Sequence, residues 1–524
     1  MPLRWIDEHP NAGALAAAIL ALVLYAITLK GTFIWDDRFI AQNDPRLHDP
    51  AGWKLYWLEA YRPNAVDNLW RPLTSLTYWL QWRMGGAPWT LHALNVLLHA
   101  GASAMVALLA TRLASARTGL VAGLLFAAHP VHVEGVAYIV GRAESLCALF
   151  AMGAMFLMAK RPMTTPRAFA VFTCALASAL SKEQGLLVPL ALLAVGLLMR
   201  ARRGPIEPPE RQAFITLLVL IVWTWSAYVY YRDRMFGWYW DPYFLDWSIN
   251  PASRATGIDR WLIPISLAGR AATLLVAPWR LSPDYGAAVT MPHVHWSDPY
   301  LWTGWIAVLA YAAGYVYAWR RRDGFVAFCL FALAVAWLPV SNFSRIGTIF
   351  GERLLYLPSV FFLMLVARVA SKIRLSVLTP LLVIVLTLLS VRTVTYAHRW
   401  NDRERFYEIS LAQQPDSAQL HILRADELQA HARDANDRGD REAERAFLLR
   451  ADQILADARR RIPDYYKIWT ESAETSFNLG RIDQAYQFVR RAESLEPGQP
   501  VIGYWDQEIE KARATTRPST RHSP

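Results

Sequence analysis

Apolar residues fall in long blocks up to about position 391, and the pattern then changes abruptly to a charged, alanine-rich one of helical period. A helix needs roughly 20 mostly apolar residues to cross a hydrocarbon core of about 30 Å. Blocks at 12–29, 91–113, 118–128, 142–159, 167–181, 185–199, 214–231, 300–319, 325–341, 354–370 and 376–391 predict about eleven spans, the third of them short. Basic residues cluster at every second turn: Arg112 and Arg117, Lys160 and Arg161, Arg200 to Arg203, Arg320 to Arg322, and Arg368 to Arg374. Together with Arg4 before the first block, they mark the cytoplasmic side. The block 261–278 is apolar enough to span, but counting it would move Arg320 to Arg322 to the wrong side. It is therefore expected to be interfacial or re-entrant. An odd number of spans carries the C-terminus across to the external side.

The pattern predicts an all-α fold: a polytopic membrane bundle followed by a helical solenoid. Residues 1–395 form the membrane domain, with external loops at 31–88 and 232–299. The first loop is rich in tryptophan (Trp53, Trp57, Trp70, Trp79, Trp82), which suits short helices lying on the bilayer surface. Residues 396–513 form the second domain. There Trp469, Ala473, Gly480, Ala485, Ala492 and Pro497 fall where a helix-turn-helix repeat of about 34 residues needs them. One such repeat cannot bury its own apolar face, so about three stacked pairs are expected. Residues 514–524 read as a disordered tail.

Composition agrees with a membrane protein: 54% of the 524 residues are hydrophobic and 19% charged, against about 25% in an average soluble chain. The net charge of +11 does not point to nucleic acid. Many basic residues flank apolar blocks, most others sit among acids in the C-terminal segment, and no basic module motif appears. Cys147, Cys174 and Cys329 all lie within apolar blocks and read as small core residues. The first block lacks a convincing cleavage site and reads as a retained anchor.

Chemistry collects at the external ends of the blocks. Asp36 and Asp37 directly follow the first one. Carboxylates there pair, line a polar cavity or work, and side-by-side acids also cap interfacial helices; as a working pair, one would remove a proton from an acceptor hydroxyl while the other orients it or tunes its pKa. Arg71 follows Trp70 as a snorkelling cation or a loop anchor. His92, Asn95 and His99 share one face of the second block and read first as a packing stripe. His129, His132, Glu134, Arg142 and Glu144 place five ionisable groups in sixteen residues. They form an ion-paired brace, a metal site or a functional cluster; two histidines and a glutamate are plausible ligands, but the spacing is no metal signature and a divalent metal is not favoured. Lys182 and Glu183 are a self-satisfied pair or a clamp on a leaving phosphate. Glu352 and Arg353, followed by Tyr356, start the tenth block in the same manner, and an arginine can hold a phosphate by two parallel hydrogen bonds. Asp284, Tyr285, His293 and His295 read as loop structure first. There is no P-loop, dinucleotide fingerprint, GxSxG or HExxH, which argues against a nucleotide-driven pump and against serine or zinc hydrolases.

The stretches WDDRFI, RPLTSLTYWL, HALNVLLH, LLFAAHPVHVEGVAYIVGRAESL, SKEQG, LSPDYG, GERLLYLPS and HRWNDRERFYEISL, with the C-terminal repeats, resemble the TMTC family of protein O-mannosyltransferases in the GT-C superfamily. The resemblance implies a polyprenyl-phosphate sugar donor as co-substrate, no other cofactor, an external hydroxyl acceptor and inversion at the sugar carbon. By position it implies Asp36 as the base with Asp37 as its partner. Lys182, Arg353 and Arg142 are our own candidates for the donor phosphate. The repeat array is shorter than that of animal members, which points to a bacterial relative in an inner membrane, with site and repeats in the periplasm; in a eukaryote they would face the lumen of the endoplasmic reticulum. The expected activity is transfer of mannose or another hexose to a serine or threonine of a protein held by the repeats. The alternatives are transfer to a lipid or glycan, and a non-catalytic scaffold that recruits partners through the repeats.

Overall fold

A computed structural model describes residues 9, 11–62, 69–203, 207–237, 246–286 and 293–516. Arg4 and residues 517–524 of the expected tail lie outside the described residues, as do parts of both long loops. Among the described residues every regular element is helical. The chain forms two compact units. The first holds Met1–Leu245, Ala252–Pro283 and Pro292–Phe406; the second holds Asp246–Pro251, Asp284–Met291 and Tyr407–Pro524.

The first unit contains α1 (Ala12–Tyr25), α2 (Pro72–Arg83), α3 (Pro88–Leu113), α4 (Ala116–Ala128), α5 (Val133–Ala137), α6 (Arg142–Met158), α7 (Thr165–Ser181), α8 (Val188–Arg203), α9 (Pro208–Phe236), α10 (Asp259–Val276), α11 (Pro299–Arg321), α12 (Gly324–Trp337), α13 (Tyr356–Ala370) and α14 (Leu375–Ala397). Among the described residues, eight helices are long and apolar enough to cross a membrane, or nine if the bent pair at Pro130 is one span. The shortfall from about eleven lies in Thr165–Ser181, which is not among them, and in Gly324–Val340, which is apolar but short. Helix α10 is also not among them. The chain is a multi-pass membrane protein: α9 and α14 turn Leu218, Val222, Trp223, Leu381, Ile384 and Leu388 outward, as lipid-facing surfaces do.

Lipid tails are as apolar as leucine, so hydrophobicity alone does not drive one membrane helix onto another; close packing does. Small residues supply it here. A Cβ on Gly123 of α4 would lie 2.7 Å from the Ala107 methyl of α3 and 3.0 Å from the Ala17 methyl of α1. Gly119 is equally pressed, against the Ala107 carbonyl and the Thr111 hydroxyl. At His129-Pro130 the chain bends by 54°, because proline cannot continue the hydrogen-bond ladder. Irregular backbone at membrane depth is tolerated only where protein covers it, and residues 130–139 are all buried.

The second unit contains the antiparallel pairs α16 (Ala418–Asp437) with α17 (Arg441–Arg461) and α18 (Tyr466–Asn478) with α19 (Ile482–Leu495), followed by α20 (Pro500–Thr516); α15 (Arg403–Gln413) runs across the boundary between the units. Gly439 and Gly480 make the turns within the pairs at φ 76° and 75°, a region that glycine enters without cost. Ala473, Ala485, Val489, Ala492, Ile502 and Ile509 form one core cluster, and Ala425, Leu428, Ala451 and Leu455 another. The loop residue Asp246 accepts from the Tyr465 hydroxyl at 2.7 Å and Lys467 Nζ at 2.5 Å, and Asp284 accepts from the Ser417 hydroxyl at 2.6 Å.

Glu474 in α18 gives a pH test of this unit. Burial pushes its carboxyl up to about 7, with Arg433 opposing and Asp426 adding to the rise. Below pH 4.5 both folded and unfolded chains hold the proton, and the group does not affect stability. As pH rises toward 7 the unfolded chain releases it first, so stability falls, and the full cost is present above about 7. In the full-length chain, Glu474→Gln should slow hydrogen exchange in α18 above pH 7 and leave it unchanged below 4.5. An equal effect at both pH values would refute this account.

Candidate functional site

After α1, a 3-10 turn (Ala26–Lys30) ends at Gly31, and the chain passes through Trp35 at φ 56° before Asp36. Asp37 is 1% exposed. Its carboxylate accepts backbone N–H groups from Ile34 at 3.2 Å, Ile139 at 3.4 Å and Val140 at 2.9 Å. A buried carboxylate is costly unless its oxygens are hydrogen-bonded, and this one ties the end of the first span to the 3-10 turn Ile139–Gly141. Burial pushes the Asp37 carboxyl well above the usual carboxylate range, the three N–H donors oppose the rise, and the Asp36 charge adds to it. Asp36 differs in every respect. Its side chain is 24% exposed, with Arg62 at 3.9 Å. Its backbone N–H donates to the Tyr138 hydroxyl at 2.9 Å.

Besides Asp36 with Arg62, three further ion pairs among the described residues accompany this turn. Glu134, on α5, is buried; it accepts the Arg353 backbone N–H at 2.9 Å and pairs with the Arg353 guanidinium, whose side chain is 28% exposed. Arg353 also lies within electrostatic range of Asp36 and Glu144. Lys182 pairs with Glu144, and both are buried. Arg71 grips Glu183 through two nitrogens, at 2.8 and 3.0 Å, and lies over the Tyr61 ring. Local sequence explains the placement. A Cβ at Gly141 would sit 2.6 Å from the Glu134 carbonyl, so only glycine lets α6 start this close to α5 and bring Glu144 near Glu134.

Other candidates from the sequence lie elsewhere. Arg142 is completely buried. Its guanidinium donates to Asn95 Oδ1 at 2.8 Å, to the Thr77 hydroxyl at 3.0 Å and to the Leu91 carbonyl at 2.9 Å, and it covers the Tyr78 ring. It thus braces α2, α3 and α6. His132 bonds the Phe126 carbonyl and the Ser359 hydroxyl, both at 2.8 Å. His99 bonds the Tyr356 hydroxyl at 2.6 Å and the Ala127 carbonyl at 3.3 Å. His129 bonds the Leu275 carbonyl at 3.1 Å and accepts the Val131 N–H. With Phe126, these side chains make an aromatic network of satisfied polar groups. His92 packs against Gly31. Glu352 accepts the Ser282 N–H at 2.6 Å. His293 pairs with Asp259, and Asp284 belongs to the second unit. Among the described residues, no three His, Cys, Asp or Glu gather as a metal ion would require.

Sequence reasoning missed Tyr138 and Arg62. Tyr138 stands inside the long motif around His132, so its location was available, but a tyrosine within an apolar run carries no sign that its hydroxyl meets a backbone amide more than a hundred residues away.

Among known proteins, the chain is similar to Protein O-mannosyl-transferase TMTC4 of Homo sapiens, with 27% identity over an alignment that covers 79% of this chain and 63% of that protein. Protein O-mannosyl-transferase TMTC3 of Mus musculus is 26% identical over 89% of this chain and 58% of its own length. Protein O-mannosyl-transferase F38B6.6 of Caenorhabditis elegans is 28% identical over 77% and 58%. The chain thus spans about three fifths of the length of these curated relatives. No family model and no solved structure matches it.

The unlike surroundings of the two aspartates predict unlike mutants. Asp37→Ala leaves three backbone N–H groups without their acceptor and should destabilise the chain by about 2 kcal/mol. Asp36→Asn should leave the unfolding temperature where it is. Thermal unfolding of the purified full-length chain checks both; equal effects would mean that Asp37 is not the anchor.

Proposed function

We propose that this chain, whose curated homologues are TMTC protein O-mannosyl-transferases, is an inverting glycosyltransferase that takes a hexose, mannose by analogy, from a polyprenyl phosphate. The acceptor is a serine or threonine hydroxyl of a protein. The observation that carries this reading is the pair of unlike carboxylates: Asp37 locked into the fold and Asp36 beside it, more exposed and within range of Arg353.

In this reading Asp36 is the base. The acceptor oxygen attacks the anomeric carbon from the face opposite the phosphate. The bond from that carbon to the phosphate oxygen breaks, its electron pair leaves with the polyprenyl phosphate, and the hydroxyl proton passes to Asp36. The phosphate is a good leaving group, so no nucleotide is consumed. Much of the rate comes from holding hydroxyl and carbon together. The Asp37 carboxyl, held by three main-chain N–H groups, is the fixed neighbour beside Asp36.

Arg353 is the donor cation we favour. It is the most exposed of the three candidates, and a phosphate arriving beside it gives the guanidinium a second anion without breaking its backbone bond to Glu134. Lys182 is paired with Glu144 and Arg71 with Glu183, so each is already neutralised by its own carboxylate. We assign Arg142 to bracing rather than to the donor. The proposal places the site on the external face of a membrane, the bacterial periplasm or its eukaryotic counterpart, with the helical pairs of the second unit as the place where acceptor protein binds.

Purified full-length chain should move radiolabelled sugar from polyprenyl-phosphate mannose to serine- and threonine-containing acceptor peptides. Asp36→Asn should lower that rate by about 10²- to 10⁴-fold, the usual contribution of a positioned base. Full activity in Asp36→Asn would remove it from this role.

A further inference from the structure

A tryptophan at positive φ, as at Trp35, is an uncommon conformation that persists only where its surroundings over-determine it. The restraints come from both sides of the residue. Behind it, the Phe33 carbonyl accepts from Arg403 Nε at 2.9 Å, and the Ile27 carbonyl accepts from Asn401 Nδ2 at 2.9 Å. Ahead of it, the Asp36 N–H is held by the Tyr138 hydroxyl. Trp400 backs the Tyr138 ring at 5.5 Å between centroids. Trp400 is itself buried, with Phe406 at 4.7 Å and Tyr396 at 6.4 Å. All these residues belong to the first unit. With its neighbour Arg403, the short helical turn His398–Asn401 that follows α14 therefore reaches the Asp36 turn directly at the Phe33 carbonyl and indirectly through Tyr138, while Asn401 holds the 3-10 turn Ala26–Lys30 that leads into it.

We propose that Trp400, Asn401 and Arg403 are positioning residues for Asp36. Arg403 and Asn401 hold two carbonyls of the chain leading into the turn. Trp400 fixes the tyrosine that holds its far end. Together they keep Trp35 in its left-handed conformation and set the direction of the Asp36 carboxylate. General packing does not account for this pattern, since two of the three contacts are side-chain donors aimed at main-chain carbonyls, Ile27 in the 3-10 turn after the first span and Phe33 just before Trp35. The inference rests on the reading of Asp36 as base. It supplies a task for the stretch HRWNDR at residues 398–403.

Two measurements on the full-length chain test it. The first is transfer kinetics from polyprenyl-phosphate mannose for Arg403→Gln, Trp400→Ala and Tyr138→Phe. A carboxylate misplaced by about 1 Å costs up to about a hundredfold in rate, so kcat should fall about ten- to a hundredfold while KM for the donor stays within about twofold. Trp400→Phe should recover much of what Trp400→Ala loses. The second measurement is hydrogen exchange, which needs no catalysis. Each variant should speed exchange in residues 33–42 and leave residues 91–113 as in the wild type. Unchanged exchange at 33–42, or a rise in donor KM at constant kcat, overturns the proposal. If the wild type transfers no sugar, the reading of the function fails, and the exchange result alone still decides whether these residues hold the turn.

Discussion

A carboxylate taken out of water at the end of a membrane helix must have its oxygens satisfied, and the Asp37 carboxylate meets that demand with three main-chain N–H groups. Two of them come from Ile139 and Val140, so the demand of one side chain brings together segments a hundred residues apart. The bend at Pro130, the buried run through Tyr138 and the start of α6 at Arg142 all have to be in place before those N–H groups point at Asp37. The close crossings of α1, α3 and α4 hold the two segments at that distance.

Three carboxylates around this anchor each have a cation: Glu134 with Arg353, Glu144 with Lys182, Glu183 with Arg71. A buried pair is weak evidence for added stability, because desolvation offsets most of the attraction. What pairing does provide is a set of cations fixed in place before any anion arrives, and preorganised charge needs no rearrangement when charge develops. Arg142 shows the contrast. Its donors end on Asn95, Thr77 and Leu91, all neutral, and its work is to join helices.

How much of this could be read from the sequence depends on the range of the interaction. The apolar blocks gave the helical fold, because one block makes one helix and neighbours hardly matter. They do not fix the number of spans where a block is short, as at Gly324–Val340, since an apolar composition on its own does not say whether a short helix crosses or packs inside. The aspartate pair stood out because it adjoins an apolar run. The partner of each cation was not legible. The sequence offered Lys182 with Glu183 as a self-satisfied pair, but the chain turns Lys182 to Glu144 and Glu183 to Arg71, because adjacent residues entering a helical turn point in different directions. Likewise, the histidines at 92, 99, 129 and 132 read as a dense polar group whether they work or pack. Only the acceptors at hand, such as the Phe126, Ala127 and Leu275 carbonyls, separate the two cases for His99, His129 and His132.

Two adjacent acids could share one job, and the fold divides them instead. Successive residues entering a helix project about 100° apart, so one carboxylate that faces inward obliges its neighbour to face another way. Locking Asp37 into the main chain therefore settles where Asp36 points. In the proposed reading it also leaves the proton exchange to Asp36, since a group with every oxygen engaged in fixed N–H bonds must break structure to act. The remaining freedom at Asp36 lies in the backbone before it, at Trp35. The C-terminal end of α14 reaches back to that segment, which makes the final membrane helix as much a part of the arrangement as the first.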